Sequence, residues 1–214
     1  MMSHEVNNSV GAIGSTLNVV ADIFKQDGSN KWEYVLPAIE ASFDRCGHLA
    51  SFISNLAQVI RIPEPTFSLI SLNEQARSVY SLTSIECRQR NIELSLSLTD
   101  NDQYIHVDGI QFEQVLVNII KNAYEAIGEN GRIKISTHHS PLSIIIEDNG
   151  PGISEEAKQK LFTPFFTTKS SGQGIGLMFV REVLTNHRCR FSLSTEEGYT
   201  RFKIFFPTAD GTYS

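Results

Sequence analysis

Two hydrophobic periods divide the chain. Over residues 3–62 the apolar positions recur at helical spacing alone. Val6, Val10, Ile13, Leu17, Val20 and Phe24 follow one another at intervals of 4-3-4-3-4, which is a heptad seam. Gln26-Asp27-Gly28-Ser29-Asn30 interrupts it with a polar, glycine-containing turn. A second helix is expected over 31–62, with a seam of Val35, Ile39, Ser42, Cys46, Leu49, Ile53, Leu56 and Ile60. Pro37 falls near its first turn, where proline is tolerated best. Two helices joined by a short turn form an antiparallel hairpin. A hairpin this small cannot bury both seams alone, so the expectation is a four-helix bundle made by two copies; packing on the rest of the same chain is the alternative.

Pro63-Glu64-Pro65 ends the second helix, because a residue before proline is pushed out of the helical region. Beyond it the pattern is mixed. Strands are expected at 67–70, 92–98, 132–137, 142–147, 190–195 and 201–206, and helices at 72–90, 108–127, 154–162 and 175–187. Glu197-Gly198 makes the last strand pair a hairpin. The fold class is α+β: a helical hairpin over 1–62, a linker at 63–66, a sandwich of one mostly antiparallel sheet with helices on one face over 67–208, and a short tail at 209–214.

Composition narrows the function. The 214 residues carry a formal net charge of −6, so there is no basic field for nucleic acid and no polybasic membrane patch. No apolar run approaches the roughly 20 residues that span a bilayer, and the three cysteines, Cys46, Cys87 and Cys189, are far apart. That spacing suits a reducing, cytoplasmic compartment and argues against a zinc site or a disulfide framework.

Three motifs carry chemistry. Asn118 and Asn122 lie four apart in helix 108–127 and project from one side. Two carboxamides offer neutral oxygens to a hydrated Mg²⁺ without cancelling the charge a triphosphate needs, although alone the pair reads more readily as solvated surface asparagines. Next, a strand with three isoleucines delivers Asp148 to Asn149-Gly150-Pro151-Gly152. A carboxylate there can accept from the exocyclic amine of adenine, with Gly150 and Gly152 admitting a flat base closely; an ordinary Asp-Asn-Gly turn is the alternative. Finally, Thr167-Thr168-Lys169 runs into Gly172-Gln173-Gly174-Ile175-Gly176-Leu177, a glycine loop opening a helix. Backbone N–H groups, the helix N-terminus and the charge of Lys169 all favour phosphate. The loop is neither a P-loop nor a Rossmann fingerprint.

The order and spacing of these motifs resemble the N, G1, F and G2 boxes of the GHKL (Bergerat-fold) superfamily over about residues 66–207. The resemblance implies an ATP pocket between helices and sheet, a lid over 165–174, and nucleotide contacts from Asn118, Lys121, Asn122, Asp148, Gly150, Gly152, Lys169, Gly172, Gly174, Gly176, Leu177 and Thr200. It implies Mg²⁺ on Asn118 and Asn122. GHKL hydrolases carry a glutamate four residues before the metal-binding asparagine; Asn118 stands there, leaving no general base to activate water. Ser3-His4-Glu5-Val6-Asn7-Asn8 resembles the H box of sensor histidine kinases, and the stretches around 121–126 and 165–169 are most similar to the nitrogen-regulation type. His4 precedes Val6 by two residues, a rotation of about 200° away from the seam. The resemblance implies that His4 is the phosphoacceptor; Glu5 can orient it or take its proton, and Asn8, one helical turn from His4, is expected to serve removal of phosphate from the partner, a solvated polar residue on the bundle being the alternative. That partner is a response-regulator receiver domain, and the kinase is a homodimer. Only three residues precede His4, so a fragment is expected whose sensor region, with any membrane anchor, lies upstream.

Overall fold

A computed structural model gives the structure of the chain, describing residues 2–25, 35–47, 49, 62–158, 160–163, 166–167 and 174–207, with the side chains of 2–9, 21, 24 and 25 left undescribed. The chain forms two compact units, Met1–Ile60 and Arg61–Ser214.

In the first unit, Met2–Lys25 is one helix, α1, and residues 35–47 form a second, α2. The turn expected at 26–30, the flanks of the second helix and His48 lie outside the described residues. Val35 and Ser42 are buried, while Val10 at 53%, Leu17 at 51% and Ile39 at 41% exposure stand open along the expected seams.

In the second unit the elements run β1 (Ser68–Ser71), α3 (Leu72–Gln89), β2 (Glu93–Ser97), β3 (Tyr104–Val107), α4 (Gly109–Ile127), β4 (Arg132–His139), β5 (Leu142–Asp148), α5 (Glu155–Lys158), α6 (Gly176–Asn186), β6 (Arg190–Glu196) and β7 (Tyr199–Phe205). Five strands form one sheet in the order β2-β4-β5-β7-β6, parallel only between β2 and β4. β1 and β3 form a separate antiparallel ribbon.

The period-2 pattern explains which face is covered. Ile133 and Ile135 of β4, Ile144 and Ile146 of β5, and Phe202 and Ile204 of β7 are buried at alternate positions. Helical stripes close that face: Ala76 and Val79 from α3, Phe112, Leu116 and Ile120 from α4, and Val180 and Leu184 from α6 belong to the same apolar cluster. The helix starts are set by short polar side chains. Ser71 Oγ accepts the Glu74 N–H at the head of α3, and Asp108 Oδ1 accepts from Ile110 and Gln111 at the head of α4. The β6–β7 hairpin turns on Glu197 and Gly198, both at positive φ, 53° and 79°.

Two local expectations need correction. The helix over 154–162 is only Glu155–Lys158, and the chain then turns through Lys160 N–H to Ala157 O and Thr163 N–H to Lys160 O. The short strand β3 was not expected; its four residues bury Ile105 and Val107 and leave Tyr104 and His106 outward.

Candidate nucleotide site

The site is assembled at one end of the sheet. Register places Ile133, Asp148 and Thr200 side by side on β4, β5 and β7, with Thr195 of β6 opposite Thr200. Asp148 shares the face of Ile144 and Ile146, so its carboxylate ends an apolar row under the helices. It is only 8% exposed. Burial pushes its carboxyl above the ordinary range; the Gly150 N–H, donating to Oδ1 at 2.9 Å, opposes that, and Glu147 adds to it.

The turn after β5 presses against α4 and β6. A methyl group on Gly150 would lie 2.8 Å from Asp148 Oδ1 and 3.6 Å from the Ile127 nitrogen. Gly152 has a φ of +82° and faces Thr195, whose Oγ1 accepts the Ile153 N–H at 3.1 Å and lies 3.5 Å from Thr200 Oγ1. Only glycine fits both constraints at 152.

α4 and α6 supply the other wall. A methyl group on Gly176, the first residue of α6, would lie 3.3 Å from Asn118 Oδ1 and 3.9 Å from Asn122 Nδ2. Asn118 Nδ2 donates to Gln114 O at 2.9 Å, which leaves its oxygen turned toward Gly176. The N-cap of α6 is Ile175, which provides no side-chain acceptor to the first turn, where N–H groups favour an anion. Gly174 precedes it at a φ of +64°, and Leu177 packs on the core. Lys121 is exposed, 3.9 Å from Glu125 across one helical turn.

Asn118, Asn122, Gly176, Asp148, Gly150, Gly152 and Thr200 are thus gathered by α4, α6 and the end of the sheet. Lys169, Gly172 and most of the expected lid lie outside the described residues, and His4, Glu5 and Asn8 fall within α1 with side chains outside them. Sequence reasoning missed Thr195; only the strand register brings it to the glycine turn.

Residues 107–210 match the family described as histidine kinase-, DNA gyrase B- and HSP90-like ATPases. The catalytic domain of the histidine kinase ThkA is 35% identical, superposes with a TM-score of 0.61, and covers 66% of this chain and 95% of its own. The chain belongs to the histidine kinase family. Its second unit is the GHKL-type ATPase domain of that family, an ATP-binding fold. ThkA in complex with the response regulator TrrA aligns over 96% of this chain and 59% of that one, at 26% identity and a TM-score of 0.70. The sensor histidine kinase ZraS of Escherichia coli is 27% identical over 96% of this chain, and the sensor protein FixL of Bradyrhizobium diazoefficiens 25% over 98%. The chain spans 44% and 43% of those two relatives. Among the described residues no helix is long and apolar enough to cross a membrane.

Proposed function

We propose that this chain is the catalytic core of a sensor kinase that moves the γ-phosphoryl group of ATP to His4 and then to an aspartate of a response-regulator receiver domain. The observation that supports it most directly is the meeting of Gly176 with Asn118 and Asn122 beside the row that ends in Asp148 and Thr200. Adenine would present its amine to the buried carboxylate of Asp148, whose charged form burial disfavours and a further donor would favour. The phosphates would lie at the start of α6, where Ile175 makes no side-chain cap, with Lys169 supplying charge.

Two carboxamides on one helix side, Asn118 with its oxygen and Asn122 with its amide edge toward a residue with no side chain, fit a hard, hydrated cation among phosphates. Mg²⁺ would be held by Asn118 and Asn122 and would neutralise charge on the phosphate oxygens. A nitrogen of neutral His4 attacks the γ-phosphorus in line; the P–N bond forms as the bond to the ADP oxygen breaks, and the imidazole proton passes to Glu5 or water. The receiver aspartate then attacks phosphorus and the P–N bond breaks. Asn8, one turn from His4, would hold a water for the reverse task of clearing the receiver's phosphate. Homodimerisation through the exposed seam positions Val10, Leu17 and Ile39 would complete the four-helix bundle.

Incubation with γ-labelled ATP tests the proposal. Acid-labile, base-stable label on the unsubstituted chain, lost in His4→Gln while nucleotide binding persists, is the expected result. Label remaining at the unsubstituted level in His4→Gln would refute His4 as the acceptor.

A further inference from the structure

The segment that opens the second unit is tied to the far end of the helix pair that builds the site. The Thr66 N–H donates to Asp108 Oδ2 at 2.8 Å, while Oδ1 of the same carboxylate caps α4 through Ile110 and Gln111 at 3.0 Å each. Gln111 Nε2 donates to Pro63 O at 3.0 Å. The Asp108 N–H in turn donates to His187 Nε2 at 3.0 Å, and His187 Nδ1 lies 2.7 Å from Val183 O at the end of α6. The Phe67 ring rests against both His106 and His187, at 5.2 Å from each. Asp108 therefore joins three pieces of chain: segment 62–67, the start of α4 and the end of α6.

The same two helices meet again at the nucleotide site, where Gly176 lies against Asn118. From Asp108 to Asn118 is ten residues and from Gly176 to His187 eleven, about 15 Å and about 17 Å of helix. α4 and α6 thus run antiparallel and meet at two places, at Asp108 and His187 where α4 starts and α6 ends, and at Asn118 and Gly176 midway along α4 and at the start of α6. A packed helix pair transmits a shift at one place to the other.

We infer that Asp108 is a positioning residue that couples the state of segment 62–67 to nucleotide binding through the α4–α6 pair. This rests on the nucleotide reading of the site. With the clasp closed, α6 is held where its first turn and the two asparagines face the same ligand. With it open, α6 slides or tilts on α4 and the ligand groups separate. Linkage requires the reverse effect too: bound nucleotide must hold the clasp shut. One feature favours an opening within reach of ordinary fluctuation. Gln111 Oε1 is buried with no hydrogen-bond partner among the described residues, so the closed clasp leaves an acceptor unpaired.

The experiment uses the whole chain, Mg²⁺ and a non-hydrolysable ATP analogue, with affinity from titration and amide hydrogen exchange read at residues 62–67. Asp108→Asn keeps an oxygen for the helix cap and loses an acceptor for Thr66. Thr66→Pro removes the donor and leaves Asp108 untouched, which keeps the test valid if the first variant folds poorly; Thr66→Ala retains the N–H and serves as the control. The coupling requires that the analogue slows exchange at residue 66 in the unsubstituted chain, that Asp108→Asn and Thr66→Pro each bind roughly fivefold more weakly or worse, that their combination is no weaker than Asp108→Asn alone, and that Thr66→Ala binds normally. Analogue binding with unchanged exchange at residue 66, or with normal affinity in Thr66→Pro, overturns the coupling alone. No binding by the unsubstituted chain overturns the nucleotide reading and the coupling together.

Discussion

Gly176 stands directly against Asn118, so close that a single methyl group would come within 3.3 Å of the amide oxygen. On the proposed function two demands meet at that contact: the first turn of α6 would offer its N–H groups to phosphate, and the amide oxygen would face the same space. Gly176→Ala is expected to separate stability from binding. Alanine is favoured over glycine in a helix by up to about 1 kcal/mol, so the melting temperature should hold or rise. The displaced Asn118 should weaken binding of a magnesium–ATP analogue by roughly tenfold, since small misplacements at a site are costly. Thermal melts and titration of the same sample decide it, and undiminished affinity would remove Gly176 from the site.

Asp148 should show the same separation for an electrostatic reason. Its buried carboxylate is penalised in the folded chain, and burial is the largest cause of its raised pKa. Asp148→Asn removes that penalty and keeps an oxygen for the Gly150 N–H. The ligand-free protein should therefore be no less stable. Facing adenine, however, an amide presents a donor where an acceptor is needed, which costs about 1–3 kcal/mol. Melting without ligand and titration with it should move in opposite directions; a parallel loss of both would mean that Asp148 is structural.

Much of this arrangement was legible before any coordinates. α4 announces itself through Asp108 as cap and Phe112, Leu116, Ile119 and Ala123 on one face, and the isoleucines of β5 point to Asp148 at their end. Periodicity reads what neighbours in sequence do together. It does not read register, so the alignment of Asp148 with Thr200 and of Thr195 with the Gly152 turn came only from the sheet. β3 escaped because four residues between a polar loop and a helix cap show too little alternation. The bonds of Asp108 to Thr66 and His187 span 42 and 79 residues, beyond any local pattern.

His187 makes stability fall on acidification. Burial is the largest cause of its lowered pKa, outweighing the Val183 carbonyl and the Asp108 carboxylate, which both raise it. Its Nε2 must stay unprotonated to accept from Asp108. The folded pKa lies below the unfolded one, so the contribution is complete above the model-peptide value of 6.5 and is lost as pH falls through the folded value. The Asp108 carboxyl is also held low: partial burial would raise it, but Gln111, Thr66 and Ile110 donate to it and His187 adds to them. Its contribution has the same sign and is lost further into acid. Denaturant melts from pH 7.5 to pH 5 should show declining stability. His187→Gln keeps a neutral acceptor, so it should lose about 1–3 kcal/mol at pH 7.5 yet decline less steeply. An identical slope in both proteins would show that His187 does not titrate as argued.

Leu17 offers a test of the dimer that leaves the nucleotide site alone. It belongs to the heptad seam of α1, yet it is 51% exposed in a single chain, and Val10, one seam interval of seven residues earlier, is 53% exposed. A heptad seam open to water on its own helix is explained if a second copy covers it. An aspartate placed there would be an unpaired charge in an apolar contact, which costs about 3–5 kcal/mol when it cannot reach water. Leu17→Asp should therefore sediment as monomer at concentrations where the unsubstituted chain is a dimer. Nucleotide affinity should stay within about twofold of normal, because the residues proposed to hold ATP lie in the other unit. Labelling by γ-labelled ATP then separates two modes of transfer. If label falls only in proportion to the dimer lost, one protomer serves the other; if the monomer labels at the full rate, each protomer serves itself. An unsubstituted chain that sediments as monomer at every concentration would refute the four-helix bundle, since Val10, Leu17 and Ile39 would then stay exposed without a second copy to cover them.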